Sequence, residues 1–201
     1  MRRRRPTRRR TAVSLGGQRE QRNPDEMKLA IVAYPTLDEV DRQRIESFRT
    51  KHDPQSSRLG VHFTLVFPVD AAPGELEPDL ELAARTIQPI AFELWSTHVV
   101  RDVVGSDALI FLVPSVAGPQ IEALHDSLYA GVLRPHLRSE IPFVPHMTVG
   151  AASDLQLAER LAQELDVSSR GVRGMVAKMD LVDVGTHGVR SIKTYPFGTP
   201  L

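Results

Sequence analysis

The pattern His-x-Thr occurs twice in the sequence, in VHFTLVFPV at residues 61–69 and in PHMTVG at residues 145–150. The first stretch is rich in β-branched and aromatic residues, which favours a β-strand. Because side chains alternate between the two faces of a strand, His62 and Thr64 share one face. The opposite face is predicted to be apolar and to lie in the core; its members are Val61, Phe63, Leu65 and Phe67.

The second copy repeats this arrangement on a predicted strand at residues 146–150. His146 and Thr148 share a face, while Met147 and Val149 point the opposite way. Each strand therefore offers one imidazole and one hydroxyl to the same side, as expected of a strand that borders a cleft. A single His-x-Thr is common by chance, but two copies with apolar opposite faces are not. We predict that the two motifs form one active site.

The segments around the motifs follow a repeated order. A strand, a helix and a loop precede each motif, and the two histidines lie 84 residues apart. The predicted strands are 28–34, 61–69, 90–101, 108–113, 146–150, 175–184 and 189–195. The first predicted helix is capped by Thr36 and ends before the loop 52–60, and the other predicted helices are 75–88, 120–137 and 154–165. The order predicts an α+β fold. The predicted fold is a duplicated, two-lobed βαβ-type unit with two facing, antiparallel-rich sheets, helices outside and a central cleft.

The composition is that of an ordinary globular protein, with 41% hydrophobic and 25% charged residues in a chain of 201. There is no cysteine, so disulfides, thiolate chemistry and cysteine-ligated zinc are excluded. No run approaches the roughly 18 to 20 apolar residues of a membrane helix. We expect residues 27–201 to form a single domain of two pseudo-symmetric lobes, in a monomeric, cytoplasmic protein.

The first 26 residues differ from the rest of the chain. They contain nine arginines, at positions 2–5, 8–10, 19 and 22, against the acidic residues Glu20, Asp25 and Glu26. Their net charge is therefore +6, which leaves −6 on the remaining 175 residues. This segment has no apolar signal core and no amphipathic period, so we expect a disordered tail. Three interpretations compete: a nucleic-acid tail, a targeting tail, or upstream sequence translated from a misplaced start. Met27, directly before the first strand, favours the third.

The motif side chains suit chemistry at phosphorus. Histidine titrates near neutral pH, so one imidazole can act as general base and the other as general acid. Two threonine hydroxyls can donate hydrogen bonds to the non-bridging oxygens of a phosphate. The predicted reaction is in-line displacement without a metal or cofactor. Water would open a 2′,3′-cyclic phosphate, and the same groups acting on two RNA ends would join them.

At these residues the sequence resembles the 2H phosphoesterase superfamily and, within it, the 2′-5′ RNA ligase-like proteins. The resemblance rests on residues 62–68 and 145–150 and extends over Met27–Leu201 through the order of elements. It implies that both histidines are catalytic and that both threonines hold the phosphate. The four implied site residues are His62, His146, Thr64 and Thr148.

The sequence departs from the family pattern just after each motif. The second continues Val149-Gly150-Ala151, where RNA cyclic phosphodiesterases of the family have Leu, Ala and often Arg. The first continues Phe67-Pro68, where they tend to have Phe-Leu-Gly. The missing arginine and the acidic body do not favour a long RNA ligand. The expected substrate is therefore a phosphate ester derived from a nucleotide, such as a 2′,3′-cyclic nucleotide or an RNA end.

Two other functions compete with this one. A binding module could keep the pocket for a phosphorylated ligand without turnover. A metal hydrolase could use both histidines, although neither motif has the spacing of a metal-binding pair. Several further side chains are weaker candidates: Lys193 for phosphate, Trp95 and Tyr195 for stacking on a base, His98 at the cleft border, and Arg58, Arg134 and Arg138 for outer phosphates. For each of these except Lys193 we favour packing or solvation. We also predict that His52 is solvent-exposed, that His125 and His136 are on or just past a helix, and that His187 occupies a hairpin turn.

Overall fold

The structure, a computed structural model, describes residues 27–102, 107–185 and 188–198. The described strands are β1 Lys28–Ala33, β2 Thr36–Leu37, β3 Phe63–Asp70, β4 Ile90–Arg101, β5 Ala108–Val116, β6 Met147–Ala152, β7 Val172–Val176, β8 Lys178–Gly185 and β9 Gly188–Pro196. The helices are α1 Glu39–His52, α2 Pro73–Thr86, α3 Gly118–Leu128 and α4 Leu155–Leu165, with a 3₁₀ turn at Arg134–His136. The predictions for residues 1–26 and for His187 fall outside the described residues.

The strands form two antiparallel sheets. The first has the order β3-β1-β8-β9 and the second the order β2-β7-β4-β5-β6. Each motif strand, β3 or β6, is therefore at the edge of its own sheet. The α+β prediction with two antiparallel sheets and outer helices is confirmed.

The two halves of the chain interlock. Helix α1 precedes β3 in the sequence but packs against β6, and α3 precedes β6 but packs against β3. Helix α2 lies on β8 and β9 of the first sheet, and α4 on β4, β5 and β6 of the second. Each motif strand is thus supported from behind by a helix from the other half of the sequence.

The main hydrophobic core runs behind both motif strands. Phe63 on β3 meets Phe92 on β4 edge to face, with ring centroids 5.3 Å apart, and so joins the two sheets. A second, smaller apolar cluster of Ala30, Val32 and Val182 covers the other face of the first sheet. Among the described residues, no helix is long and apolar enough to cross a membrane.

Some predicted boundaries are wrong. Asp38, not Thr36, caps α1 by accepting from the Val40 N–H at 3.0 Å, and Thr36 lies in the short strand β2. The helix predicted over 120–137 ends at Leu128. The strand predicted over 175–184 is divided at Ala177 between β7 and β8, which belong to different sheets. Periodicity could not reveal this division because both pieces are apolar on the core side.

Candidate active site

A β-bulge follows the threonine of each motif. Thr64 is opposite Val32 and Val66 is opposite Ile31, so Leu65 is the extra residue of β3. In β6 the irregularity has the same position: Thr148 is opposite Phe111 and Gly150 is opposite Ile110, which leaves Val149 as the extra residue. A bulge of this kind reverses the alternation of side chains beyond it.

The bulges decide which side chains face the cleft. Leu65 and Val66 are both buried in the core, and Phe67 lines the cleft. Val149 and Gly150 are likewise buried, and Ala151 lines the cleft. The prediction that Phe67 lies on the core face is wrong, because strict alternation does not allow for the extra residue. The burial predicted for Val61, Phe63, Leu65, Met147 and Val149 is confirmed.

The bulge also explains the departures at Gly150 and Ala151. A Cβ atom at Gly150 would lie 3.2 Å from Ile110 and 3.4 Å from His52 and Phe48, so glycine allows α1 to approach β6 closely. Ala151 lines the cleft, at the position where the family resemblance implies an arginine in RNA-directed members.

The cleft has a volume of about 500 Å³. His62, Thr64 and Thr148 are part of its lining, and so are brought together as predicted. His146 is not in the lining; it lies two residues before Thr148 and stacks on Phe111 with ring centroids 3.7 Å apart. One wall is aliphatic and consists of Ala30, Val32, Val182, Val184 and Val189.

Both imidazoles are held by the same hydrogen bond. Nδ1 of His62 lies 2.8 Å from the carbonyl oxygen of Gly60, and Nδ1 of His146 lies 2.6 Å from that of Val144. A carbonyl oxygen can only accept, so Nδ1 carries the proton and donates it. In the neutral ring this leaves Nε2 without a hydrogen. Nε2 is then the atom of each ring that can take up or release a proton.

Burial lowers the pKa of both imidazoles below the usual range of histidine. For His62 the positive charge of Arg49 and the His146 imidazole lower the pKa further, whereas its carbonyl partner and the Asp53 carboxylate raise it. For His146 the hydrogen bond to its carbonyl partner raises the pKa against the effect of burial. Both are expected to be neutral in the free protein at pH 7.

A buried ion cluster supports the segment that leads into the first motif. Arg49 on α1 is only 1% exposed and donates to the Asp53 carboxylate at 3.0 and 2.8 Å and to the Leu59 carbonyl at 2.7 Å. Glu46 pairs with Arg49 at 3.2 Å and accepts from the Val61 N–H at 3.0 Å. The cluster thus fixes residues 59–61 directly before His62. The sequence signal was the i, i+4 pair of Arg49 and Asp53, whose burial was not predicted.

The sequence pattern also did not predict that two aromatic residues lie next to the histidines. The Tyr34 ring lies 6.2 Å from the His62 ring, and burial together with the charge of Asp180 raises the pKa of its hydroxyl. Phe111 stacks on His146 at an interplanar angle of 18°. Both side chains come from neighbouring strands, β5 for Phe111 and the end of β1 for Tyr34. Their proximity follows from strand pairing, which the sequence pattern does not give.

The weaker candidates lie elsewhere. Lys193 pairs with Glu77 at 2.7 Å and Glu81 at 2.9 Å on α2, on the helix side of its sheet, so its predicted phosphate contact is wrong. Trp95 donates to the Glu93 carboxylate at 2.9 Å and does not line the cleft. Tyr195 is buried, and burial raises the pKa of its hydroxyl to about 12.

His52 is the last residue of α1 and is partly buried, with its ring 4.6 Å from the Phe48 ring, so its predicted solvent exposure is wrong. The other candidates among the arginines and histidines lie outside the cleft lining. Arg58 donates to the Gly185 carbonyl at 3.1 Å, and Arg138 lies over the Phe67 ring at 5.2 Å from its centroid. His98 is exposed and opposite Phe111 in the β4–β5 pair. Within the described parts of the chain, no three His, Asp or Glu side chains converge in a way that could hold a metal ion.

Two edge strands from different sheets border one cleft, and each begins directly after the histidine of a His-x-Thr motif. This arrangement is typical of a 2H phosphoesterase. A model of the 2′-5′ RNA ligase superfamily matches residues 37–188, and the chain belongs to this family. A Bacillus licheniformis protein named "Putative phosphoesterase" is 25% identical over 126 residues, which cover 61% of this chain and 70% of the relative. A protein of the same name from Geobacillus thermodenitrificans is 28% identical over 135 residues, which cover 62% of this chain and 69% of the relative.

Solved structures with the same fold are more distant in sequence. E. coli LigT complexed with 3′-AMP is similar with a TM-score of 0.54 and 19% identity, over 87% of this chain and 99% of LigT. Kluyveromyces marxianus Usb1 is similar with a TM-score of 0.53 and 14% identity, over 87% of this chain and all of Usb1. The same Usb1 with uridine monophosphate gives a TM-score of 0.50 at 13% identity, over 86% of this chain and 99% of that one. At these identities the likeness establishes the fold.

Proposed function

We propose that this protein is a metal-independent phosphodiesterase that opens a 2′,3′-cyclic phosphate on a nucleotide or an RNA end. The observation that carries the proposal is the matched pair of imidazoles, each with Nδ1 held by a carbonyl two residues earlier and Nε2 left for proton transfer. Thr64 and Thr148 line the cleft together with His62, and His146 lies two residues before Thr148. These four side chains are the groups that general acid–base catalysis at a single phosphate requires.

In the proposed reaction, water attacks phosphorus while one Nε2 removes its proton. The bond from phosphorus to one ribose oxygen breaks, and the other histidine, in its protonated form, donates a proton to that leaving oxygen. Thr64 and Thr148 donate hydrogen bonds to the non-bridging oxygens and stabilise their growing negative charge. The orientation of the substrate decides which histidine is acid and which is base. With the 5′-hydroxyl of a second RNA end in place of the water, the same groups would form a 2′-5′ linkage as the bond from phosphorus to the ribose 3′-oxygen breaks and that oxygen takes up the proton.

The charges of the cleft favour a substrate with one phosphate. The one cationic side chain in the described lining, Arg49, is already paired with Asp53 and Glu46. Asp107 also lines the cleft. Long RNA binds largely through basic side chains on its many phosphates, so a mononucleotide suits this lining better. The nucleotide ligands of LigT and Usb1 support a substrate of this size.

That the protein is monomeric and cytoplasmic, and that residues 27–201 form a single domain, stays a prediction.

The test is hydrolysis of a 2′,3′-cyclic mononucleotide in the presence of EDTA. The wild-type protein is expected to turn over, and the double variant Thr64→Val/Thr148→Val to be slower by about 10²-fold or more, because each lost hydroxyl removes a donor to the developing charge. Valine keeps the β-branched shape of threonine on the strand. Cyclic-phosphate oligonucleotides of increasing length, assayed in parallel, are expected to be poorer substrates.

Three outcomes would contradict the proposal. Tight binding of the nucleotide with no product after prolonged incubation would identify a binding module. Activity abolished by EDTA and restored by zinc would identify a metal hydrolase. Equal rates for the wild type and the double valine variant would remove both threonines from the mechanism.

We expect the pH optimum of kcat/KM to lie below about pH 6.5, the usual pKa of histidine. Activity requires one neutral and one protonated imidazole, and burial lowers the pKa of both. As the pH rises through these lowered values the acid loses its proton, and as it falls further the base becomes protonated. The optimum of kcat is expected at higher pH, because bound phosphate stabilises the imidazolium. Profiles of both constants check this; a kcat/KM that keeps rising beyond pH 7 would contradict it.

A further inference from the structure

His125 on α3 contacts the segments that carry both motifs. It is only 4% exposed although it is polar. Its Nδ1–H donates to the carbonyl oxygen of Leu65 at 2.7 Å. Leu65 is the extra residue of the β3 bulge, which places Thr64 and Phe67 toward the cleft. This hydrogen bond therefore ties α3 to the feature that orients the first motif.

The ring of the same histidine supports the approach to the second motif. Phe143 stacks on His125 with centroids 3.7 Å apart and planes within 6°. Phe143 directly precedes Val144, whose carbonyl holds Nδ1 of His146. Tyr129 packs on the His125 ring at 4.8 Å, so the ring is enclosed by aromatic neighbours.

We propose that His125 is a positioning residue that fixes the geometry of both motifs at once, through its Nδ1–H for Thr64 and through its ring face for His146. The proposal rests on the proposed function, since it names a further residue for the same reaction. A positioning role would explain why an imidazole is buried at position 125. A polar ring in a core costs free energy unless its hydrogen bonds are made, so an apolar residue would serve if packing were its only role.

The two contacts of His125 can be separated by substitution. In His125→Asn the side-chain amide can take the place of Nδ1–H toward Leu65, but no ring stacks on Phe143. In His125→Phe the ring remains, but the buried carbonyl of Leu65 loses its donor. The asparagine variant should thus disturb His146 and spare Thr64, and the phenylalanine variant should do the opposite.

The experiment measures kcat, KM and melting temperature for both variants with a 2′,3′-cyclic mononucleotide. Each variant is expected to lower kcat by about 10- to 100-fold with a much smaller change in KM, because small displacements of catalytic groups slow chemistry more than binding. His136→Asn, at an exposed position of the 3₁₀ turn, is the matched control and should behave as wild type. A double variant that adds Phe143→Leu to His125→Asn should lose little more than His125→Asn alone.

A second readout does not depend on turnover. NMR should show altered titration of the His146 ring proton in His125→Asn and altered shifts of the Thr64 methyl group in His125→Phe. If the wild type has no activity, the proposed function fails and these shifts alone decide the role of His125. Variants that melt at lower temperature but keep wild-type kcat and unshifted His146 and Thr64 resonances would reduce His125 to a packing residue and overturn the inference.

Discussion

His62→Asn is expected to lower kcat by at least about 10²-fold, and His146→Asn by a similar factor, because each substitution removes an acid–base group. Asparagine is the informative replacement. Its side-chain N–H can replace the Nδ1–H as the hydrogen-bond donor to the carbonyl oxygen of Gly60 or Val144. The strand and its preceding loop should therefore keep their geometry, and only Nε2 is lost. Steady-state kinetics with a 2′,3′-cyclic mononucleotide measures the loss.

The double variant His62→Asn/His146→Asn tests whether the two imidazoles act in one step. Groups that act as a unit give a double variant far less impaired than the product of the single effects. The control is again His136→Asn, which changes an exposed histidine outside the cleft. A single asparagine variant within about threefold of wild type would exclude that histidine from acid–base catalysis.

Arg49→Met is expected to lower the free energy of unfolding by about 3–5 kcal/mol, the usual cost of breaking a buried ion pair from one side. The side chains of Arg49 and Asp53 are 1% and 6% exposed, so the substitution leaves a carboxylate buried without its partner. It also removes the donor to the Leu59 carbonyl, just before His62. Urea unfolding measures the loss, and a lower kcat in the variant that remains folded is expected from the loosened loop.

Arg42→Met on the same helix is the matched control. Arg42 pairs with Glu39 at 2.7 Å, but both side chains are more than half exposed, so this variant is expected to unfold at nearly the same urea concentration as the wild type. The double variant Arg49→Met/Asp53→Leu should recover most of the stability, because no unpaired charge remains. If Arg49→Met were no less stable than Arg42→Met, the buried cluster would have no structural role.

Much of the fold could be predicted from local pattern. Alternation around Phe63 and Met147 identified which side of each motif strand is buried, since a residue that faces the core must be apolar whatever packs on it. Repeated element order identified the α+β class. Local pattern failed at Phe67, because a bulge depends on the register with a neighbouring strand. It failed at Lys193 too, since the choice between a cleft and a helix follows from which elements cover each face of the sheet.

The two His-x-Thr triplets, the apolar faces behind them and the pairing of one imidazole with one hydroxyl were determined by the sequence alone, because strand alternation is a property of the local backbone. Only the tertiary structure decided what surrounds them. Helices α1 and α3 each cross to the motif strand of the other half, so Arg49 lies under the first motif and Gly150 under α1. His125 meets Leu65 across 60 residues of chain. Such contacts arise when distant segments share one core, and no local pattern records which segments will meet.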